Sequence, residues 1–251
     1  MSGHSKWSTI KHKKGAADAK RGQLFTKLSK SIIVAAKEGG PDPANNLALQ
    51  NAVEKARSYS MPKDTIERAI ARGAGTDADA AVYETVIYEG YGPEGVAVLV
   101  EALTDNRNRT ASDVRHLFTK YGGNLGTTGA VAWLFERRGV VLVPADGVDE
   151  DELTLAAAEG GAEDVDLDGT TYLVSAAPEA LSAVRTAIES AGFAIDAAEL
   201  SMVPKTTVAI EDESTAKKVV RLVEGLEESD DVQDVYANFD IPEHVLEAVA
   251  S

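Results

Sequence analysis

Apolar residues Leu24, Phe25, Leu28, Ile32, Ala35 and Ala36 recur at helical spacing, and Gly39-Gly40-Pro41 stops the pattern, which predicts a first helix. Asp42-Pro43 then reads as the cap and first-turn proline of a second helix, with Ala48, Ala52, Ala56 and Tyr59 on one side and Leu49 and Val53 alongside. A third helix opens near Pro62, carries Ile66, Ala69 and Ile70 on one face, and ends with Gly73 as a C-cap glycine. Three short amphipathic helices in succession predict a small bundle.

From Tyr83 the period changes to that of strands. Tyr83 to Glu89 alternates, Gly90-Tyr91-Gly92-Pro93-Glu94-Gly95 makes a turn, and Val96 to Leu103 is a buried-looking run, so a long hairpin is expected. A helix through Val114, Leu117 and Phe118 and a strand from Ala130 to Phe135 extend the order to ββαβ. Residues 139–203 run as a self-contained βαββαβ cycle, the split arrangement of ferredoxin-like domains. The strand, helix and strand after it (Thr207 to Ile210, Ser214 to Glu224, Val232 to Phe239) are too few to stand alone and are expected to complete the earlier sheet. The predicted class is α+β: a basic arm and three-helix bundle over 1–78, a discontinuous α+β domain over 79–138 and 204–251, and a ferredoxin-like domain over 139–203 inserted into it.

Charge changes this picture. The chain carries a formal net charge of −16, yet residues 1–75 hold 14 Lys and Arg against 6 acids, net +8, leaving 11 against 35, net −24, for residues 76–251. Nine of the cations lie in the first 37 residues, beside one acid, Asp18. At about 100° per residue, Lys20, Lys27, Lys30 and Lys37 fall on a helix face away from the apolar stripe. A cationic helix preceded by a basic arm with one indole, Trp7, suits a polyanion, since lysines neutralise phosphates and an indole stacks on bases. Trp7 could equally anchor the arm by packing, and a charge block of this kind is often a solvated tail. The candidate nucleic-acid-binding residues are Lys6, Trp7, Lys11, His12, Lys13, Lys14, Lys20, Arg21, Lys27 and Lys30.

A second candidate is Thr104-Asp105-Asn106-Arg107-Asn108-Arg109-Thr110, where arginines flank a helix start that Thr110 is expected to cap. Free N–H groups there, with Arg107, Asn108 and Arg109, could contact a phosphate, or the arginines could pair with carboxylates and hold the turn. The glycines of Tyr121 to Gly129 lack a P-loop lysine and precede a strand, so they read as a flexible connection. The acidic runs at Asp149, Glu211 and Glu227 match no EF-hand spacing, and the four histidines form no zinc motif, so neither a metal nor any other cofactor is expected. With no GxSxG elbow and no cysteine, no reaction is visible and the chain is expected not to be an enzyme. The missing cysteines favour a reducing compartment, and neither a signal peptide nor a membrane-length apolar run is present, which points to the cytoplasm and no membrane partner.

Gly3-His4-Ser5-Lys6-Trp7, Ile10-Lys11-His12-Lys13-Lys14, Ser60-Met61-Pro62-Lys63-Asp64-Thr65-Ile66-Glu67-Arg68-Ala69-Ile70 and the Thr104 to Thr110 segment together resemble the YebC family, also called the translational activator of cytochrome oxidase family. The resemblance runs nearly end to end. It implies a three-helix bundle with two α+β domains, one ferredoxin-like and inserted in the other, and a non-enzymatic, cytoplasmic, nucleic-acid-associated regulator. Members are usually described as DNA-binding transcriptional regulators, while others look like translation factors acting on ribosomal or transfer RNA. The binding role would fall on Lys6, Trp7, Lys11, His12, Lys13, Lys14, Lys20 and Arg21. The acidic domains would suit a protein partner or steer the basic end.

Overall fold

The computed structural model of the protein describes residues 18–75 and 83–250. They form two compact units, one of 18–75, 83–132 and 214–237, the other of 133–213 and 238–250. The class is mixed helix and sheet, as the periodicities predict.

In the first unit, α1 (Asp18–Gly39), α2 (Leu47–Ser58) and α3 (Lys63–Ala74) make the expected bundle. Leu28, Ile32, Leu49, Val53, Ala56, Met61, Ile66 and Ala69 meet in its core. Each fully buried Leu, Ile or Val there contributes about 1.5–3 kcal/mol of transfer free energy, which sets the helices' orientation. Two terminal assignments change. Asp42 starts a turn, accepting from Ala44 N–H at 3.0 Å, and the cap of α2 is Asn46, whose Oδ1 accepts from Leu49 N–H at 3.1 Å. The Asn46 amide also donates to the carbonyls of Ala35 (2.7 Å) and Gly40 (2.8 Å), so one buried side chain closes the end of α1 and opens α2. Gly73 lies inside α3, buried, with Gly75 as the C-cap; a Cβ at 73 would strike the Ile33 carbonyl and Ala36 Cβ of α1. It is a close-approach glycine of the helix crossing.

The same unit holds β1 (Glu84–Tyr91), β2 (Ala97–Thr104), α4 (Arg107–Lys120) and β3 (Asn124–Leu125). β1 and β2 are the predicted antiparallel hairpin. Phe118 of α4 packs on Gly90, where a Cβ would come within 2.6 Å of the ring. The strand expected at 130–135 is absent. β3 takes its place on the edge of β1, and residues 132–134 form a 3₁₀ turn.

In the second unit, β4 (Phe135–Pro144), α5 (Glu150–Glu159), β5 (Ala162–Asp168), β6 (Thr171–Ala176), α6 (Leu181–Ser190) and β7 (Ala197–Pro204) build an antiparallel sheet in the order β5-β6-β4-β7. That is the ferredoxin-like order, with Val141, Val143, Leu153, Val174, Val184 and Ile188 between sheet and helices. β8 (Val208–Ala209) pairs in parallel with β10 (Phe239–Asp240), and α8 (Glu243–Ala250) follows. Between them α7 (Glu213–Glu227) leads to β9 (Val232–Ala237), which pairs antiparallel with β2 and gives the order β3-β1-β2-β9 in the first unit. Of the three trailing elements, β9 therefore completes the earlier sheet as expected, whereas β8 joins a separate two-stranded ladder.

Candidate nucleic-acid interface

The Thr104 to Thr110 turn is built around a residue more than 120 positions later in the chain, Asp231. Its carboxylate is about nine-tenths buried and accepts from Arg109 Nη2 at 2.7 Å and the Thr110 hydroxyl at 2.9 Å, with Lys30 Nζ at 3.4 Å. Burial by itself raises the pKa of Asp231, but the hydrogen bonds from Arg109 and Thr110 and the charges of Lys30 and Arg109 outweigh it and hold the carboxyl below its ordinary range. Arg109 reaches Asp105 as well, at 2.8 Å, and its hydrogen bonds to Asp231 and Asp105 hold its proton more firmly than usual.

This geometry corrects the cap. Asn106 caps α4, its Oδ1 accepting from Arg109 N–H at 3.1 Å, and its own N–H donates to Thr104 Oγ1 at 2.9 Å. Thr110 is buried, with its hydroxyl 2.8 Å from that of Thr104. The three anion-contact candidates therefore part company. Arg109 turns inward to carboxylates, while Arg107 and Asn108 are exposed on the first turn of α4, Arg107 only 3.6 Å from Glu84. The first turn of the helix carries no acid, and of its two outward side chains Arg107 is cationic and Asn108 a neutral hydrogen-bonding amide.

Of the arm and helix candidates, Lys6, Trp7, Lys11, His12, Lys13 and Lys14 lie outside the described residues, and Lys20 and Arg21 occupy the first turn of α1. The expectation that Lys27 and Lys30 face outward is corrected. Lys27 is buried and donates to the Glu227 carbonyl, and Lys30 donates to the Asp230 carbonyl at 3.0 Å. Ser31 donates to Gln233 at 2.9 Å, and Lys55 of α2 pairs with Asp234 at 2.7 Å. The acidic run after α7 is thus the seat of the basic helix. Charge and hydrogen-bond complementarity anchors the bundle to the β9 end of the sheet.

A cleft of about 440 Å³ opens at this corner, lined by Lys30, Tyr83, Asp105, Arg109, Asp113 and Asp231 among others. Lys30 Nζ sits 5.6 Å from the Tyr83 ring centre. Carboxylates outnumber cations around the cleft, so it orders the turn and is no cradle for a free anion.

Sequence reasoning missed a second buried acid. Glu89 of β1 accepts from the N–H groups of Gly129 (2.6 Å), Val131 (2.8 Å) and Ala132 (2.8 Å). Burial raises its pKa, but the three backbone donors outweigh that and leave it lowered. The glycine-rich stretch expected to be flexible is therefore pinned around a carboxylate. Glu89 lies opposite the buried Leu99, and that pairing is the signal that could have marked it. Elsewhere, Asp149 caps α5 by accepting from Glu152 N–H at 3.0 Å, and among the described residues no group of three or more His, Cys, Asp or Glu is arranged to hold a metal ion.

Two family models account for nearly all of this. Residues 5–76 match the TACO1/YebC protein N-terminal domain, and residues 83–239 match the TACO1/YebC second and third domain. The chain belongs to the YebC family. Similar YebC-family relatives are the "probable transcriptional regulatory protein" of Rubrobacter xylanophilus, 61% identical over 250 residues and covering all of both chains, and that of Desulfotalea psychrophila, DP2908, 55% identical with the same coverage. A crystal structure of a conserved hypothetical protein from Aquifex aeolicus, Aq1575, is 52% identical, covers 90% of this chain and 93% of its own, and superposes with a TM-score of 0.80. The names of these relatives support a regulatory role for this YebC chain. Among its described residues no helix is long and apolar enough to cross a membrane.

Proposed function

We propose that this chain is a non-enzymatic regulator that binds nucleic acid, DNA in the first reading, through its basic N-terminal arm and the start of α1. The observation that carries the proposal is the division of charge: net +8 within residues 1–75 of a chain whose total is −16. The internal pairing of Lys27, Lys30 and Lys55 refines it. Those lysines anchor the bundle, which leaves Lys6, Lys11, His12, Lys13, Lys14, Lys20 and Arg21 as the phosphate-facing set, with Trp7 as a stacking group. Arg107 and Asn108, exposed on the first turn of α4, would supply a further phosphate contact. Lysines without a set of Asn, Gln and Arg aimed at base edges bind the backbone, so affinity falls steeply with salt. Changing Lys11, Lys13 and Lys14 together to Glu is expected to weaken duplex binding by at least tenfold and flatten its salt dependence, and an unchanged curve rejects the arm as the site.

The second reading is a translation factor that docks on ribosomal or transfer RNA, which the family's alternative description supports and the same arm would serve. The acidic unit would then face a protein partner. The two readings separate on isolation from cells: release of co-purifying ribosomal subunits by ribonuclease, and not by deoxyribonuclease, selects RNA. The cytoplasm is the compartment consistent with either.

A further inference from the structure

The unit containing the ferredoxin-like sheet is strongly acidic. Residues 133–213 hold 18 Asp and Glu against four Lys and Arg. Three of those four cations lie at one end of the β4–β7 ladder, where Phe135 pairs with Pro204, Arg137 with Met202 and Arg138 with Ser201. Arg138 is neutralised there by Glu136 and Glu163. Arg137 is exposed and has no ion-pair partner among the described residues. Lys205, also exposed, is held by its own N–H on the Leu134 carbonyl (2.8 Å), and its Nζ donates to the Trp133 carbonyl at 3.2 Å, a bond that leaves its charge uncompensated. At this same end Trp133 is 65% exposed.

We infer that Trp133, with Lys205 and Arg137, forms a second nucleic-acid surface that stacks an unpaired base of RNA and neutralises the phosphates beside it. The exposed residues nearest to Trp133 along the paired ends of β4 and β7, Glu136, Arg137, Lys205 and Thr206, are all polar or charged, whereas a protein-docking patch is a contiguous apolar surface. This end offers the combination that single-stranded binders use: an aromatic face for a base and cations for its backbone. Bases inside a duplex are closed to such a ring, and the loops and bulges of folded RNA are where unpaired bases persist. The surrounding carboxylates repel phosphates everywhere else on the unit, which confines the contact to this end. The inference rests on the nucleic-acid reading above and adds a site remote in sequence from the arm.

The test uses the full chain and a short oligouridylate at low salt. Trp133→Ala is expected to weaken binding about 5- to 150-fold, the range for loss of one stacked base. Trp133→Phe keeps a ring and is expected to restore most of the affinity while removing the quenched component of the fluorescence, since the chain has only two tryptophans. Lys205→Glu with Arg137→Glu is expected to lower the salt slope by about two. Unchanged affinity in Trp133→Ala, or identical quenching in wild type and Trp133→Phe, overturns the inference. Equal quenching by oligothymidylate or by duplex DNA overturns its assignment to RNA. If Lys11, Lys13 and Lys14 changed to Glu abolish all binding while Trp133→Ala is neutral, the arm reading stands and this one fails. The opposite pattern keeps Trp133 and rejects the arm.

Discussion

Two buried carboxylates in the same unit, Glu89 and Asp231, are satisfied in opposite ways. Glu89 takes three N–H groups from one nearby loop, all of them backbone. Asp231 takes side chains from distant segments: Arg109 and Thr110 from α4, with Lys30 from α1 in reach. Both have depressed pKa values despite burial. The difference is in what each can tolerate. Backbone donors are supplied by any sequence that can follow the loop, so the Glu89 site depends on one side chain and on the glycines. The Asp231 site depends on the identity of every partner, and it holds Arg109 and Thr110 of the first turn of α4 in place. An acid held by a backbone nest and an acid held by side chains from distant segments are thereby distinguished by the source of their donors.

That contrast can be broken or sharpened by substitution. Glu89→Ala should have the largest effect, because it leaves three backbone N–H groups without an acceptor at a position where water has little access; roughly 3–5 kcal/mol of stability should be lost in urea unfolding. Amide exchange at 129–132 should accelerate with it, and a loss under about 1 kcal/mol means the loop repairs itself. Asp231→Ala should cost about 2 kcal/mol, less because Arg109 is half-exposed and can turn to water or to Asp105. Salt should separate the two: 1 M NaCl weakens the ionic part of the Asp231 cluster and leaves the Glu89 nest nearly untouched.

Acid gives the third test. Each carboxyl titrates lower in the folded than in the unfolded chain, so the unfolded state binds more protons and stability rises with pH. The contribution is complete above the unfolded carboxylate range near pH 4 and is lost as pH falls through the lower folded values. Asp231→Asn should reduce this acid-limb slope while retaining an acceptor for Thr110, and an unchanged slope excludes Asp231 as a source of it. The smallest effect on stability belongs to Arg107→Ala, within about 0.5 kcal/mol for an exposed side chain 3.6 Å from Glu84. It should still lower the salt slope of nucleic-acid binding by about one if Arg107 meets a phosphate.

Much of the fold is legible without coordinates because burial imposes a period. The bundle core, the β1–β2 hairpin and the βαββαβ cycle follow from residues 28, 32, 49, 53, 66 and 69, from the alternation after Tyr83, and from the strand and helix runs of 139–203. Terminal details are less so. Asn46 outcompetes Asp42 as a cap because it also reaches the Ala35 and Gly40 carbonyls, partners that exist only once α1 and α2 have met. Gly73 looks like a helix end and is instead where α1 passes too close for a Cβ. The two-residue ladders β3–β1 and β8–β10 are too short to carry a period at all.

The candidate site divides the same way. Sequence alone determined that one end of the chain is basic and the remainder acidic, and that arginines flank a helix start, because charge and local propensity are properties of residues and their near neighbours. Which charges stay available was decided by tertiary structure. Lys27 and Lys30 have the spacing of an outward face, yet the acidic run some 200 residues later claims them. Arg109 differs from Arg107 only in its partner, since Asp231 reaches one and not the other. Electrostatic pairing acts over a few ångströms in space regardless of separation along the chain, so only the folded chain sorts the cations that hold it together from those left to meet a ligand.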